Sequence, residues 1–342
     1  MLIQFLLVFL LSLSLTAVVR YYAVSRRMLD IPNERSSHSA PTPRGGGLAI
    51  VAAFAAACFY MFFNQQLDAA RCAAFSTALL VAVIGFCDDR AHVAARWRFL
   101  THLLAAFSAL YFMNGLPLLL IPAPLAGLIG APSLQLGWLG ILPGVLLLVW
   151  LLNLFNFMDG ADGIAASEAV FVCSAMAAYL FSIDYALYAV FMSLAAAALG
   201  FLFWNWPKAR IFMGDVGSGY LGLIIGMLIF MAARQSPVLL YCGLILFGLF
   251  VTDASYTLLI RIATGQKWYA AHCSHTYQRA AKRYGHATVL LVSWAINIGW
   301  LLPISWLVFL FPSSALLGMA IAYLPLIGLA RRFKAGLAEI KT

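Results

Sequence analysis

Residues 136–163 read LGWLGILPGVLLLVWLLNLFNFMDGADG. No charged side chain interrupts the run from Leu136 to Asn156; two aspartates, Asp159 and Asp162, then follow within a glycine-containing turn. A helix needs about 20 largely apolar residues to cross a bilayer, because each backbone polar group in hydrocarbon must be bonded within its own segment. The stretch therefore predicts a membrane-spanning helix that delivers carboxylates to the membrane surface.

The rest of the chain has the same character. Of its 342 residues 64% are apolar and only 10% charged, and the mean hydropathy is +0.94. That excludes a water-soluble globule and a disordered chain. The 21 Lys and Arg against 12 Asp and Glu give a net charge of +9, but too little polar surface remains for a nucleic-acid-binding face. The expected fold is an all-α polytopic membrane protein forming one integral-membrane domain over 1–342. Apolar runs near 2–23, 46–63, 72–87, 99–115, 136–156, 164–183, 185–205, 217–233, 237–260, 288–311 and 313–330 predict about 11 transmembrane helices. The apolar stretch 116–134 is broken by Pro117, Pro122, Pro124 and Pro132. It reads as a re-entrant or surface-lying segment, with a twelfth span as the other reading.

No Lys or Arg precedes Arg20, and the charge follows the first apolar run instead of leading it. This is the reverse of a signal peptide, so the run is expected to be a retained span with its N-terminus outside. The cytoplasmic segments are then 24–45, 88–98, 157–163, 206–216, 261–287 and a cytoplasmic C-terminal tail. With Arg20 they hold all of the Lys and Arg except Arg71 and Arg234, as the excess of positive charge on the cytoplasmic side requires. The six cysteines show no C-x-x-C spacing, so neither a redox pair nor a zinc ribbon is expected.

The acids are scarce and grouped. Asp88-Asp89 closes the third span, Asp159 and Asp162 follow the fifth, Asp215 opens the eighth, and Asp253 lies within the ninth. Any one could be a helix cap. Three such sites on one membrane face point instead to chemistry, because carboxylates at membrane depth are costly. Adjacent carboxylates repel unless a cation or a shared proton intervenes. Oxygen ligands without partner Cys or His favour magnesium or manganese over zinc. The turn Gly214-Asp215-Val216-Gly217-Ser218 leads into a helix whose free N–H groups suit a phosphate. With the basic loops 24–45 and 261–287, the residues themselves imply a magnesium-dependent site for a phosphorylated substrate at the cytoplasmic membrane surface.

Read together, the motifs resemble the polyprenyl-phosphate N-acetylhexosamine-1-phosphate transferases, the WecA, TagO and MraY superfamily. The resemblance runs from about residue 30 to 290. It is carried by Asp30-x-Pro32-Asn33-x-Arg35-x-x-His38-x-x-Pro41-x-Pro43-Arg44-Gly45-Gly46-Gly47, by Asp88-Asp89-Arg90, and by Asn153-x-x-Asn156-x-x-Asp159-Gly160-x-Asp162-Gly163. Gly214-Asp215-x-Gly217-Ser218, then Asp253, Arg261 and Gly265, then His272-x-x-His275 follow in the same order. The resemblance implies transfer of a sugar-1-phosphate from a UDP-N-acetylhexosamine to undecaprenyl phosphate, with release of UMP. It implies Asp215 and Asn156 as the Mg2+ (or Mn2+) pair and Asp88, Asp89, Asp159 and Asp162 as the catalytic acids. Asp88 would accept or orient a proton of the lipid phosphate, and Asp159 and Asp162 would shape the nucleotide loop. Asn153, Arg35, His38, Arg44, Gly217, Ser218, Arg261, His272 and His275 would bind substrate.

Such an enzyme is expected in a bacterial inner membrane, acting on membrane lipid with no nucleic-acid partner and with a homodimer allowed. The family commonly carries Asp-Arg-x-His-x-His-His where this chain has Tyr269-Ala270-Ala271-His272-Cys273-Ser274-His275. The missing acid, Arg and middle His make the chain resemble WbpL-type initiators of O-antigen synthesis, some of which take 6-deoxy sugars. An ion-coupled transporter is the competing class. It would place acids at mid-span in two related halves, and neither a repeat nor that placement is visible. A zinc reading of His272 and His275 lacks a third ligand.

Overall fold

The apolar runs become helices at all eleven expected positions. In the computed structural model, which describes residues 2–32, 40–121, 125–267, 269–270 and 272–338, the first nine helices are α1 (Leu2–Ser25), α2 (Gly47–Phe63), α3 (Ala69–Arg90), α4 (Ala95–Phe112), α5 (Leu125–Ile129), α6 (Ile141–Met158), α7 (Ile164–Leu180), α8 (Tyr185–Asn205) and α9 (Asp215–Gln235). They are followed by α10 (Val238–Leu246), α11 (Gly248–Ala263), α12 (Thr276–Tyr284), α13 (His286–Ile296), α14 (Leu302–Leu310) and α15 (Ala315–Arg332). Among the described residues seven helical segments are long and apolar enough to cross a membrane, α13 and α14 counting as one through the π-helical turn Asn297–Leu301, or eight if α10 and α11 count as one broken span. The protein is a multi-pass membrane protein. α2 and α7 are apolar but 17 residues long.

Two expectations change. The run 237–260 is not one straight helix: α10 and α11 meet at Phe247 with a bend of 73°. A Cβ on Gly248 would collide with the Tyr323 ring of α15, so the break is packed in place. The segment 116–134 contains no spanning helix among its described residues. It forms a two-residue ladder, Leu119 opposite Leu134 and Leu120 opposite Ser133, around the five-residue α5. Proline spacing explains this, since each ring removes an N–H that a helix would need.

The centre of the bundle is α9, and no lipid reaches it. The 18-residue window that qualifies α9 as a span is wholly buried, against 17% of that of α1. Small residues let its neighbours in, as they do between membrane helices generally. Gly217 of α9 and Gly47 of α2 touch backbone to backbone, Gly222 of α9 lies on the backbone of Leu151 and Leu152 in α6, and Gly85 of α3 lies on the backbone of Asp215. The helices that carry the acidic motifs therefore converge on one end of α9.

The two arginines outside the basic face are both tied down at the other end. Arg71 pairs with Asp68 at 3.2 Å and with Asp184, the N-cap of α8, at 3.0 Å. Arg234 donates to the carbonyls of Asn114 at 2.9 Å and Gly115 at 2.7 Å, just past α4. Their charge serves to fasten loops there.

Candidate active site

Gly214, the residue before α9, has φ +76°, a conformation that a side chain would strain. A Cβ there would also meet the carboxylate of Asp89. Glycine thus lets the end of α3 close over the start of α9. In that close approach Asp89 accepts the backbone N–H groups of Asp215 at 3.1 Å and Val216 at 3.2 Å. Asp89 is almost wholly buried, and its charge faces the positive end of the α9 dipole.

Its neighbour Asp88 is partly exposed. It accepts the N–H of Val93 at 2.7 Å, which fixes the turn between α3 and α4, and the Arg98 guanidinium at 2.6 Å. The same Nη1 of Arg98 donates to Asp215 at 2.8 Å. One arginine from the first turns of α4 thus bridges acids from two separate motifs, with the charge-assisted geometry that makes such bonds strong. The Asn156 amide reaches the Asp215 carboxylate from α6. Asp159 sits one residue past α6, where burial first, then the charges of Asp215, Asp89 and Asp162, hold its carboxyl well above the usual carboxylate range. Asp88, Asp89, Asn156, Asp159 and Asp215 are thereby gathered from three stretches of sequence.

The first loop reaches the same place. Gly46 and Gly47 donate to the carbonyls of Phe212 at 2.9 Å and Met213 at 2.8 Å, and Phe212 donates back to Pro43 at 2.8 Å. This zips the glycine run to the turn before α9 and brings the Arg44 guanidinium within electrostatic reach of Asp89. Among the described residues the buried Nε of Arg44 has no hydrogen-bond partner. Arg35 and His38 lie outside the described residues.

Other expected site residues have structural employment. Asp162 accepts the Ala209 N–H at 3.1 Å and pairs with His286 at 3.2 Å, clamping the loops before α9 and α13. Gly217 and Ser218 are turned into the packing of α9, and the Ser218 hydroxyl donates back to Gly214. Asn153 bonds back to Val149 in its own helix at 2.7 Å. Arg261 holds its own loop by donating to Gln266 at 3.0 Å and the Lys267 carbonyl at 2.9 Å.

His275 is buried and lies 3.4 Å from Asp253. Asp253 in turn accepts the N–H groups of Thr276 at 2.9 Å and Tyr277 at 3.0 Å, so it caps α12 from a different helix. His272 is more open and bonds Ser274 at 3.0 Å. Burial first, then the neighbouring His275 and Arg261, lower its pKa to about 4. It is neutral at pH 7 and suits a sugar hydroxyl better than a diphosphate.

Arg98 is the partner of Asp88 and Asp215 that residue order does not reveal, since a basic residue at a helix start also reads as a topology signal. Its one clue is physical: a group of acids needs a counter-charge. Among the described residues no three His, Cys, Asp or Glu side chains converge as a metal-binding set. The donor set at Asp215 and Asn156, one carboxylate and one amide, still fits magnesium, which binds through one or two carboxylates and takes its other oxygens from water and substrate phosphates.

Residues 71–233 match the family described as glycosyl transferase family 4. The chain is 29% identical over 301 residues to a Bacillus subtilis protein named probable undecaprenyl-phosphate N-acetylglucosaminyl 1-phosphate transferase, covering 86% of this chain and 81% of that one. It is 33% identical over 231 residues to the decaprenyl-phosphate N-acetylglucosaminephosphotransferase of Mycolicibacterium smegmatis, covering 62% and 55%. It is 29% identical over 238 residues to the phospho-N-acetylmuramoyl-pentapeptide-transferase of Chlamydia trachomatis, covering 65% and 68%. The match thus spans only about half the length of the mycobacterial relative.

Proposed function

Because residues 71–233 match glycosyl transferase family 4 and the chain is similar to proteins named as polyprenyl-phosphate sugar-1-phosphate transferases, we propose that it transfers an N-acetylhexosamine-1-phosphate from a UDP-sugar to undecaprenyl phosphate. UMP leaves, and a lipid-linked diphosphosugar remains to start an O-antigen or another envelope polysaccharide. The observation that carries this reading is the bridge from Arg98 to both Asp88 and Asp215. It gathers acids from separate motifs at the membrane-facing ends of helices, where a soluble nucleotide and a lipid phosphate can meet. A transporter would need its acids along a path through the bundle.

Two phosphates that react must first overcome their mutual repulsion. Arg98 and Arg44 supply fixed cationic donors on either side of the acids. A magnesium ion held by Asp215 and Asn156 would, when bound, neutralise charge on the diphosphate. Asp88, anchored by Val93 and Arg98, is placed to orient the lipid phosphate. That phosphate has a second pKa near 6 and is already largely deprotonated at pH 7, so positioning outweighs proton removal, and direct attack is the favoured path. Asp159, held toward its protonated form, offers an O–H donor or, near a cation, a further oxygen ligand. The neutral His272 belongs to the sugar side, where departures from the family pattern support a 6-deoxy sugar.

In this reading the eleven helical runs cross a bacterial inner membrane, with the N-terminus outside and the acidic motifs on the cytoplasmic face. The test is UMP release by the purified protein with undecaprenyl phosphate and UDP-GlcNAc, UDP-GalNAc or 6-deoxy analogues, with and without magnesium. Release that ignores magnesium would remove the role of Asp215 and Asn156. No release from any UDP-sugar would remove the reading itself.

A further inference from the structure

We propose that a cavity between α11, α12, α13 and α15 binds one acyl chain of an anionic, ester-linked phospholipid. The cavity has a volume of 220 Å³ and is walled by Leu249, Val289, Val292, Ile296, Leu326 and Phe333. It has room for a segment of one chain, not for a whole lipid. Polar residues interrupt the apolar wall. Two of them, Thr252 and Thr276, are only 6% and 8% exposed, and among the described residues their hydroxyls have no hydrogen-bond partner. Buried hydroxyls left unpaired are costly, and both are able to donate. A glycerol ester presents carbonyl oxygens that only accept, at the head of an apolar chain, and so completes both features at once.

The mouth of the cavity has the complementary charge. The rings of Tyr284 and Phe333 meet edge to face at 6.4 Å, and the guanidinium of Arg283 lies over Tyr284 at 5.2 Å. Arg331 and Arg332 fill the last turn of α15 beside Phe333. α12 itself carries Arg279, Lys282 and Arg283 on a short amphipathic helix, the composition that lies in the membrane interface and draws anionic headgroups.

Polyprenyl phosphate is the other anionic lipid at hand, and the geometry disfavours it. Its tail is hydrocarbon and has no acceptor for Thr252 or Thr276. The wall toward the acidic cluster is also closed. Tyr277 donates to the Phe157 carbonyl at 2.8 Å and packs on Gly160, while Asp253 accepts the N–H groups of Thr276 and Tyr277. A phosphate whose chain lay in this cavity would face the basic rim, away from Asp88 and Asp215.

The test reconstitutes the full-length protein in vesicles of equal phosphatidylglycerol and phosphatidylcholine, extracts it in mild detergent and counts retained lipids by native mass spectrometry. Phosphatidylglycerol should be retained over phosphatidylcholine. Arg283→Gln, an exposed change that leaves folding intact, should lower its retention about fivefold. Thr252→Val should lower it as well, and Thr252→Ser, which restores the hydroxyl, should recover it. Equal retention of the two lipids, or unchanged retention in both Arg283→Gln and Thr252→Val, would overturn the proposal. So would displacement of phosphatidylglycerol by added undecaprenyl phosphate, which would assign the cavity to that lipid.

Discussion

Asp89 caps the helix that Asp215 begins, accepting the N–H of Asp215 at 3.1 Å and that of the next residue at 3.2 Å from within the protein. The start of α9 is therefore held by a buried carboxylate of α3. Asp89→Ala leaves two buried donors unpaired and should cost about 1–3 kcal/mol of stability. Activity should fall with it, because Asp215 moves. Thermal unfolding in detergent and UMP release check both, and a melting temperature equal to that of the parent would contradict the cap.

Arg98→Lys keeps the charge but replaces the Nη1 that reaches both carboxylates with an ammonium on a differently shaped, flexible stem. Turnover is expected to fall on the order of a hundredfold, the usual scale for losing one charge-stabilising donor. The fold should survive, since Arg98 is partly exposed. Activity within a fewfold of the parent would show that the bridge is incidental.

Asp159 gives the pH dependence its sign. Its folded pKa lies above the unfolded value because of burial and three acidic neighbours. Its contribution is fully present below the unfolded pKa and is lost as pH rises through the raised one. As pH rises through that raised pKa the folded protein takes on a charge it disfavours, and a divalent cation should relieve it. Magnesium is expected to raise the melting temperature more at pH 8 than at pH 5.5, and Asp159→Asn should flatten that difference. An equal magnesium effect at both pH values would count against cation binding beside Asp159.

The glycine seam makes a paired comparison. A Cβ on Gly47 would strike the backbone of Gly217, whereas one on Gly328 in α15 meets nothing within 4 Å. Gly47→Ala should destabilise by about 1–3 kcal/mol through overpacking. Gly328→Ala should stabilise by roughly 0.5–1 kcal/mol, because a helix interior favours Ala over Gly. Similar melting temperatures for the two variants would mean that α2 and α9 can separate at little cost.

Much of this was legible in residue order. Apolar runs of bilayer length mark the helices to within a few residues, because hydrocarbon leaves the backbone no alternative. The paired acids mark the site, because charge at membrane depth is too costly to be idle. What stayed hidden depends on distance across the chain. Arg98 looks like a topology signal until α3 and α4 fold back and set it between Asp88 and Asp215. That Asp253 caps α12 and that Asp162 pairs with His286 likewise depends on contacts between residues far apart in the chain. The bend at Phe247 was concealed because the residues on both sides are equally apolar, and only Tyr323, far along the chain, wedges it.

The enclosure of α9 has a mechanical meaning. Helices on the rim, such as α1, present most of their surface to lipid and must follow the bilayer as it thins, thickens or bends. Asp215 hangs from a shaft that the bilayer never grips, and Asp89 bolts its end to α3. Strain in the membrane can tilt the rim helices while the distances among Asp88, Asp215 and Arg98 stay set. A reaction centre at a fluctuating interface is thereby steadied by an axle rather than by the surface on which it works.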